Sequence, residues 1–244
     1  MKNAVIMQAR AGSSRLPGKV LKLLKGKTVL EHDIIRIQQA KLISGIIIAT
    51  TINKEDDAIV EIAEKCGVKY FRGSQDDVLE RYYYAAKQFQ VENIIRITSD
   101  CPLIDPYVID EVVDCFDKNP VDIMTNVPNE WETMSYPRGM DLEIFPFTWL
   151  KKAFVEATSS YDREHVSPYI YDHADTRYYY RYDKDYSKYR LTLDTNEDWQ
   201  VISKIYDHFY NGKHDFYLED IIQYLEKHKE INMINQEIRQ QLKH

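Results

Sequence analysis

The stretch QARAGSSRLPGK, residues 8–19, gathers Arg10, Arg15 and Lys19 with Gly12, Gly18, Ser13 and Ser14 directly after the apolar run NAVIM. These residue types suit a polyanion. Gly12 lets the backbone take positive φ and turn consecutive N–H groups toward an anion. Ser13 and Ser14 add short donors and the three cations add charge, which together fit a polyphosphate. The loop is not of the Walker type: five residues separate Gly12 from Gly18 and Val20 follows Lys19, where that motif needs four residues and a Ser or Thr. It also lacks the GxGxxG dinucleotide fingerprint. The plain alternative is a solvated basic loop.

Two acids form the natural complement to such a loop. Asp100 lies in TSDCPLIDP, residues 98–106, after an apolar run and beside the stiffening Pro102. Asp194 lies in LTLDTNED, residues 191–198, in an equivalent place before a helical stretch. Mg²⁺ is usually held by one or two carboxylates together with substrate phosphates. Each acid alone could instead be a helix N-cap or a loop acid. Further along, YPRGMD (136–141) and REHVSP (163–168) supply Arg138, Gly139, Arg163, Glu164 and His165. Arginine reads carboxylate and phosphate through two parallel donors, so these residues favour an anionic small molecule. The alternative for REHVSPYIY is a helix whose Glu164 and His165 bond only neighbouring backbone.

The elements that must position these residues follow from hydrophobic pattern. Strands are expected at NAVIMQA (3–9), GIIIATT (45–51), VKYFRG (68–73) and NIIRIT (93–98). Helices are expected from Thr28, whose spacing to Glu31 is a capping box, to about Ala40, then over 55–66, 76–89 and 106–117. Strands alternating with helices of this length imply parallel βαβ units and a doubly wound α/β sheet, with ligands at the carboxyl ends of the strands. After residue 120 the rhythm changes. VDIMTN (121–126), GMDLEIF (139–145), TRYYYRY (176–182) and YRLTLDT (189–195) read as strands, with helices near 147–157 and 163–173 and some antiparallel pairing. From 196 onward two or three helices are expected, the last with Ile231, Ile234 and Ile238 at packing spacing. The chain is taken as one domain over 1–244, with a nucleotide-binding half (1–120), an acceptor and dimerisation half (121–195) and C-terminal helices (196–244).

Bulk properties exclude several classes. The chain has 244 residues, 44% hydrophobic and 29% charged, with a formal net charge of -7. That charge argues against nucleic-acid polymers, which are held by clustered positive charge. The apolar runs fall well short of the ~20 residues a membrane helix needs, and nothing reads as a signal peptide, so no membrane partner and a cytoplasmic location are expected. Three widely spaced cysteines, Cys66, Cys101 and Cys115, fit neither a disulfide framework nor a zinc site. A thiol-nucleophile pairing of Cys101 with His165 lacks any local basic feature. Tyr82, Tyr83 and Tyr84 point three ways from a helix, so one or two belong to the core, while Tyr178, Tyr179 and Tyr180 alternate along a strand and could support a dimer interface.

QARAGSSRLPGKVL, YFRGSQDDVLERYYYAA, RITSDCPLIDP, YPRGMDLEIF, REHVSPYIY and LTLDTNEDW, in that order, resemble the cytidylyltransferase family. The similarity is greatest to the branch of spore-coat polysaccharide biosynthesis F proteins, and the wider family includes the CMP-KDO and CMP-acylneuraminate synthetases. The resemblance implies a sheet of the nucleotidyltransferase, GT-A-like type with a β-arm and C-terminal helices. It puts the CTP phosphates on Arg10, Ser13, Arg15 and Lys19, and Mg²⁺ on Asp100 and Asp194. Base and ribose are placed near Ala9, Gly12, Arg72, Ser74, Asp77 and Arg81, although RGSQDDVLERYY departs from the KDO-type segment. The implied chemistry is in-line attack by an acceptor oxyanion on the α-phosphorus with release of pyrophosphate, with Lys19, Arg15 and Asp100 at its centre. The acceptor is either an acidic sugar or a phosphorylated compound (a phospho-sugar, phospho-amino acid or phosphonate). The resemblance also implies a homodimer. Two other readings stand beside it: a GT-A-type glycosyltransferase, against which Pro102 removes the Asp-x-Asp pair, and a nucleotide-binding module without turnover.

Overall fold

The computed structural model describes residues 1–12, 15–128 and 134–238. Its centre is a seven-stranded sheet. In chain order, strand β1 (Asn3–Gln8) is followed by a small antiparallel pair, β2 (Leu23–Leu24) and β3 (Lys27–Thr28), and by helix α1 (Val29–Ile37). Then come β4 (Ile46–Thr51), α2 (Asp57–Lys65), β5 (Lys69–Gly73), α3 (Val78–Gln88), β6 (Asn93–Thr98) and α4 (Pro106–Lys118). The second half adds β7 (Ile123–Thr125), β8 (Glu143–Pro146), α5 (Phe147–Glu156), α6 (Ser160–His165), α7 (Pro168–His173) and β9 (Arg177–Tyr179). It closes with α8 (Asn196–Phe209), α9 (Leu218–Lys227) and α10 (Lys229–Asn232).

The strand order is β5-β4-β1-β6-β8-β7-β9. The first four strands run parallel, β8 is antiparallel to both β6 and β7, and β9 extends the edge parallel to β7. Alternation along β1 and β6 sorts the core into two layers. Val5, Met7, Ile95 and Ile97 pack with Ile34 and Ile37 of α1 and Ile109 and Val113 of α4 on one face. Ala4, Ile6 and Ile94 pack with Leu79 and Tyr82 of α3 and Leu150 of α5 on the other. All six residues of β4, IIIATT, are buried, as expected of a strand in a parallel sheet covered on both faces. Thr28 caps α1 in the expected box with Glu31. Tyr82 and Tyr83 are buried and Tyr84 is exposed.

The later segments differ from the sequence expectation in instructive ways. Residues 189–195 form no strand with a ladder. Their groups are spent singly: the Leu191 N–H donates to the Arg138 carbonyl, and the Leu193 N–H and Thr192 hydroxyl donate to the Asp100 carbonyl. The segment is therefore sewn between two loops. The strand expected over 139–145 begins only at Glu143, because Gly139 takes φ +102 and a turn follows it. The strand expected over 176–182 shrinks to Arg177–Tyr179. The helix expected over 163–173 is two short helices, interrupted where Val166 adopts φ +72. The last helix stops at Asn232, since the buried Asn235 amide donates to the Arg190 carbonyl and to Asp198. Ile231 is buried and Ile234 packs partly on the core.

Candidate active site

The carboxyl ends of β1 and β6 deliver the loop and Asp100 to one place. Lys19 opens a single 3₁₀ turn, Lys19–Leu21, after Gly18 at φ 65 and ψ 20. Val20 inside this turn and Leu16 just before it are both buried in the core. The Lys19 ammonium then donates to Asp100 Oδ2, the Leu193 carbonyl and Asp194 Oδ1, at 2.9 Å each. An ammonium has three donors, and all three are engaged. Burial alone would push the Lys19 pKa down, but the charges and hydrogen bonds of Asp100 and Asp194 more than reverse this, so it is raised. Burial likewise opposes charge on Asp100. Lys19, the Thr98 hydroxyl (2.6 Å) and the Cys101 thiol outweigh it, and its pKa is lowered.

Asp194 is not a helix cap. Thr195 caps α8, one residue later, and Asp194 is left to turn inward with its side chain only 4% exposed. Besides Lys19 it meets Arg15 at 3.0 Å and Arg190 at 3.3 Å. The three expected central residues and the second acid thus come together, brought by segments up to 175 residues apart. Two residues the sequence reading missed hold Asp194 there. Asp198, wholly buried, accepts the Asp194 N–H at 2.9 Å and Arg190 Nε at 2.8 Å. Asp198 has a sequence signal, the Thr195–Asp198 capping box, but its partner Arg190 has none.

Asp56 is a third missed residue: it accepts the Ala11 N–H at 2.7 Å and the Thr51 hydroxyl, and so pins the start of the basic loop after β1. Asp141 is a fourth. It accepts the Gly139 N–H and an Arg138 Nη1 donor, and burial raises its pKa while Arg138 lowers it and Asp100 adds to the rise. Gly139 is required where it sits. A Cβ there would lie 2.4–2.6 Å from the backbone of Leu191 and Thr192.

The residues expected around base and ribose divide into two groups. Arg72 is already committed, to Asp57 at 2.7 Å and to the Thr51 and Asn53 carbonyls at 2.8 Å each. Asp77 caps α3 by accepting the Glu80 N–H and takes both Nε and Nη2 of Arg163, so these two are tied to each other. The Ser74 hydroxyl accepts the Asp77 N–H. Arg81 is different: 2% exposed, it has no hydrogen-bond partner on Nε or Nη1. Arg10 is exposed and close enough to affect its charge, and Ala9 is buried. Gly12 is exposed but does not take the positive φ expected of it; in this loop Gly18 does, at φ 65. Glu164 is exposed, and His165 lies against the Tyr161 ring at 4.6 Å. Cys101 is buried, and its pKa is driven well above normal by burial and by Asp100, which makes it a neutral thiol. Ser13 and Ser14 lie outside the described residues.

Two carboxylates and a main-chain carbonyl, all hard oxygen donors, converge on one bound ammonium. That donor chemistry suits Mg²⁺. Among the described residues no group of three or more His, Cys, Asp or Glu converges as a complete metal cage. A cation on Asp100 and Asp194 would leave further positions for water or substrate oxygens.

The profile of the family described as Cytidylyltransferase matches residues 4–239. The chain belongs to the cytidylyltransferase family. An uncharacterised protein of Methanocaldococcus jannaschii is 39% identical over 244 residues, covering 98% of this chain and 97% of that protein. The spore coat polysaccharide biosynthesis protein SpsF of Bacillus subtilis is 30% identical over 215 residues, covering 82% and 85%. A solved cytidylyltransferase of Leptospira borgpetersenii superposes with a TM-score of 0.89 at 36% identity, over 98% of this chain and all 100% of that one. The enzyme is accordingly a CTP-dependent nucleotidyltransferase on the mostly parallel sheet that the resemblance implied. No helix among the described residues is long and apolar enough to cross a membrane.

Proposed function

We propose that the enzyme transfers CMP from CTP, with Mg²⁺, to an anionic small-molecule acceptor and releases pyrophosphate. The observation that carries this reading is the pair Asp100 and Asp194 closed around the Lys19 ammonium, with Arg15 alongside. An acidic sugar or a phosphorylated compound brings its own oxyanion to the α-phosphorus, so no general base is needed. Catalysis is then positioning and charge stabilisation. Lys19, Arg15 and Arg10 supply positive charge for the phosphates, with Ser13 and the backbone at Gly12 as further donors. Mg²⁺ on Asp100 and Asp194 would neutralise charge on the phosphoryl oxygens.

The nucleoside end is assigned to Ala9, Ser74 and Arg81. Arg81 is supported most strongly, because a buried guanidinium with open donors is costly unless a ligand completes it. Arg72, Asp77 and Arg163 then build the wall behind it, joining the base side to the acceptor side. Arg138, set by Asp141 and Gly139, is assigned to the acceptor's anion, with Glu164 and His165 at the outer rim. The family assignment favours this transfer over a glycosyltransferase or a silent binding module. The SpsF relative, named for spore coat polysaccharide biosynthesis, supports a place in surface polysaccharide or capsule biosynthesis. Exposed Tyr178 and Tyr179 on the edge strand β9 support a homodimer.

The test is pyrophosphate release from CTP and Mg²⁺ across keto-sugar acids, phospho-sugars, phospho-amino acids and phosphonates, with product analysis. Release with one anionic class and a cytidylyl product is expected. Release only with neutral acceptors would overturn the acceptor assignment.

A further inference from the structure

Lys19 sits in the centre of the group that would hold the metal. All three of its donors are satisfied there, by Asp100 Oδ2, Asp194 Oδ1 and the Leu193 carbonyl. Asp194 Oδ1 also meets Arg15, and its Oδ2 meets Arg190. Asp100 Oδ1 takes the Thr98 hydroxyl. The carboxylate oxygens are thus already used by protein donors, and the Lys19 side chain is only 15% exposed. A divalent cation cannot reach both acids while the ammonium stays between them, since both need the same oxygens.

We infer that Lys19 and the divalent cation exclude each other on Asp100 and Asp194, and that Lys19 is released only when the nucleotide's phosphates are there to receive it. The inference rests on the metal and phosphate assignment proposed above and adds how that site is filled. Its physics is a balance of charge. A cation arriving alone must strip a buried ammonium of three bonds and leave it without a counter-charge, which is expensive in a poorly solvated place. A cation arriving with the triphosphate displaces the same ammonium toward an anion. Lysine suits this exchange: its charge rides on a flexible four-carbon stem, so the head can move while the 3₁₀ turn stays put. Arg15 shares Asp194 from a far more open position, with 55% side-chain exposure, and yields easily. The consequence is strong coupling. Metal and nucleotide each raise the other's affinity by the same factor, as linkage requires, and free metal is rejected.

The same arrangement makes Lys19 a safeguard for the free enzyme. Asp100 and Asp194 approach one ammonium from two sides, and without a cation between them they would repel. The lysine keeps them folded in place until the metal takes over. It then has a second task on the phosphates.

The experiment is Mn²⁺ binding, read by electron paramagnetic resonance of free Mn²⁺, with no nucleotide present. The proteins are the wild type, Lys19→Met and Lys19→Arg, with thermal melting to confirm folding. Lys19→Met is expected to bind Mn²⁺ alone at least about 10- to 100-fold more tightly than the wild type, a lower bound set by only one of the two charge-assisted contacts that Lys19 makes to the acids. Lys19→Arg keeps a cation and is expected to gain little. Equal Mn²⁺ affinity in wild type and a folded Lys19→Met would overturn the exchange. The underlying assignment fails separately: with no nucleotide present, Mn²⁺ binding as tight in Lys19→Met/Asp100→Asn and Lys19→Met/Asp194→Asn as in Lys19→Met alone would remove the metal site itself.

Discussion

Replacing Asp198 with Asn removes the buried charge that, with Arg190, holds Asp194 in position from behind. Asp198 is wholly buried and accepts five hydrogen bonds, from Arg190 Nε (2.8 Å) and Nη2 (3.0 Å), the Asp194 N–H (2.9 Å), the Thr195 N–H (3.0 Å) and Asn235 Nδ2 (2.9 Å). Asn has the same shape but only one acceptor oxygen. In either orientation its amide N–H groups face at least two donors, and Arg190 loses its buried counter-charge. Removing one partner of a buried pair costs about 3–5 kcal/mol. Arg190 keeps Asp194 at 3.3 Å, which places the loss near the lower end, about 3 kcal/mol. For a chain of this size, about 2–4 °C of Tm per kcal/mol converts this to a drop of about 6–12 °C. Calorimetry of the two proteins at neutral pH reads it directly. A Tm within about 2 °C of wild type would refute the view that Asp198 is the buried anchor of this network. Turnover should fall as well, because Asp194 loses the clamp on its own backbone while Arg190 draws on its Oδ2.

Other expectations follow from the same geometry. Lys19→Met should lower kcat about 10²–10³-fold, the cost of one electrostatic donor at developing charge, while Arg15→Met, at a more open site, should cost less; steady-state kinetics with CTP checks both. Gly139→Ala should destabilise by about 3–5 kcal/mol, since a Cβ against the Leu191–Thr192 backbone adds overpacking to positive-φ strain; an unchanged urea midpoint would contradict it. The buried pair His32 and His214, with ring nitrogens 2.7 Å apart, is neutral: burial pushes their pKa values down to about 4 and about 3. Because the folded values lie below the unfolded one, the unfolded chain takes up protons first, and stability is lost as pH falls from about 6.5 toward 4. Urea unfolding at pH 5 should show about 2–4 kcal/mol less stability than at pH 7, and His214→Asn should remove part of the difference.

The strand and helix rhythm of the first half was legible because each element announces itself locally. Asn3–Gln8, Ile46–Thr51 and Asn93–Thr98 are each built on a short block rich in Ile and Val, and Thr28 with Glu31 marks a helix start. Asp100 and Asp194 stand out because each follows a strand or an extended segment, and Lys19 because it closes the Gly-, Ser- and Arg-rich loop after β1. What holds them does not. Asp56 meets Ala11 across 45 positions and Asn235 meets Asp198 across 37, and no local pattern encodes such a meeting. Arg72 and Asp77 show the converse: charged residues after a strand look like ligand groups until their partners Asp57 and Arg163 are in place. Residues 189–195 alternate like a strand, yet bond one loop at a time, because alternation reports two-sided burial and says nothing of the neighbour. The interruption at Val166 lies at a positive φ that a β-branched residue rarely adopts, so sequence preference pointed to a continuous helix.

The central claim is that CMP transfer happens on Asp100, with Lys19 and Asp194 around it. The most direct measurement is pyrophosphate release from CTP by wild type and a folded Asp100→Asn variant, at saturating Mg²⁺ and with the acceptor found in the panel. A kcat at least about 10²-fold lower in the variant is expected, the scale of losing one charged group at the reacting phosphate. Equal turnover by the two proteins would contradict it.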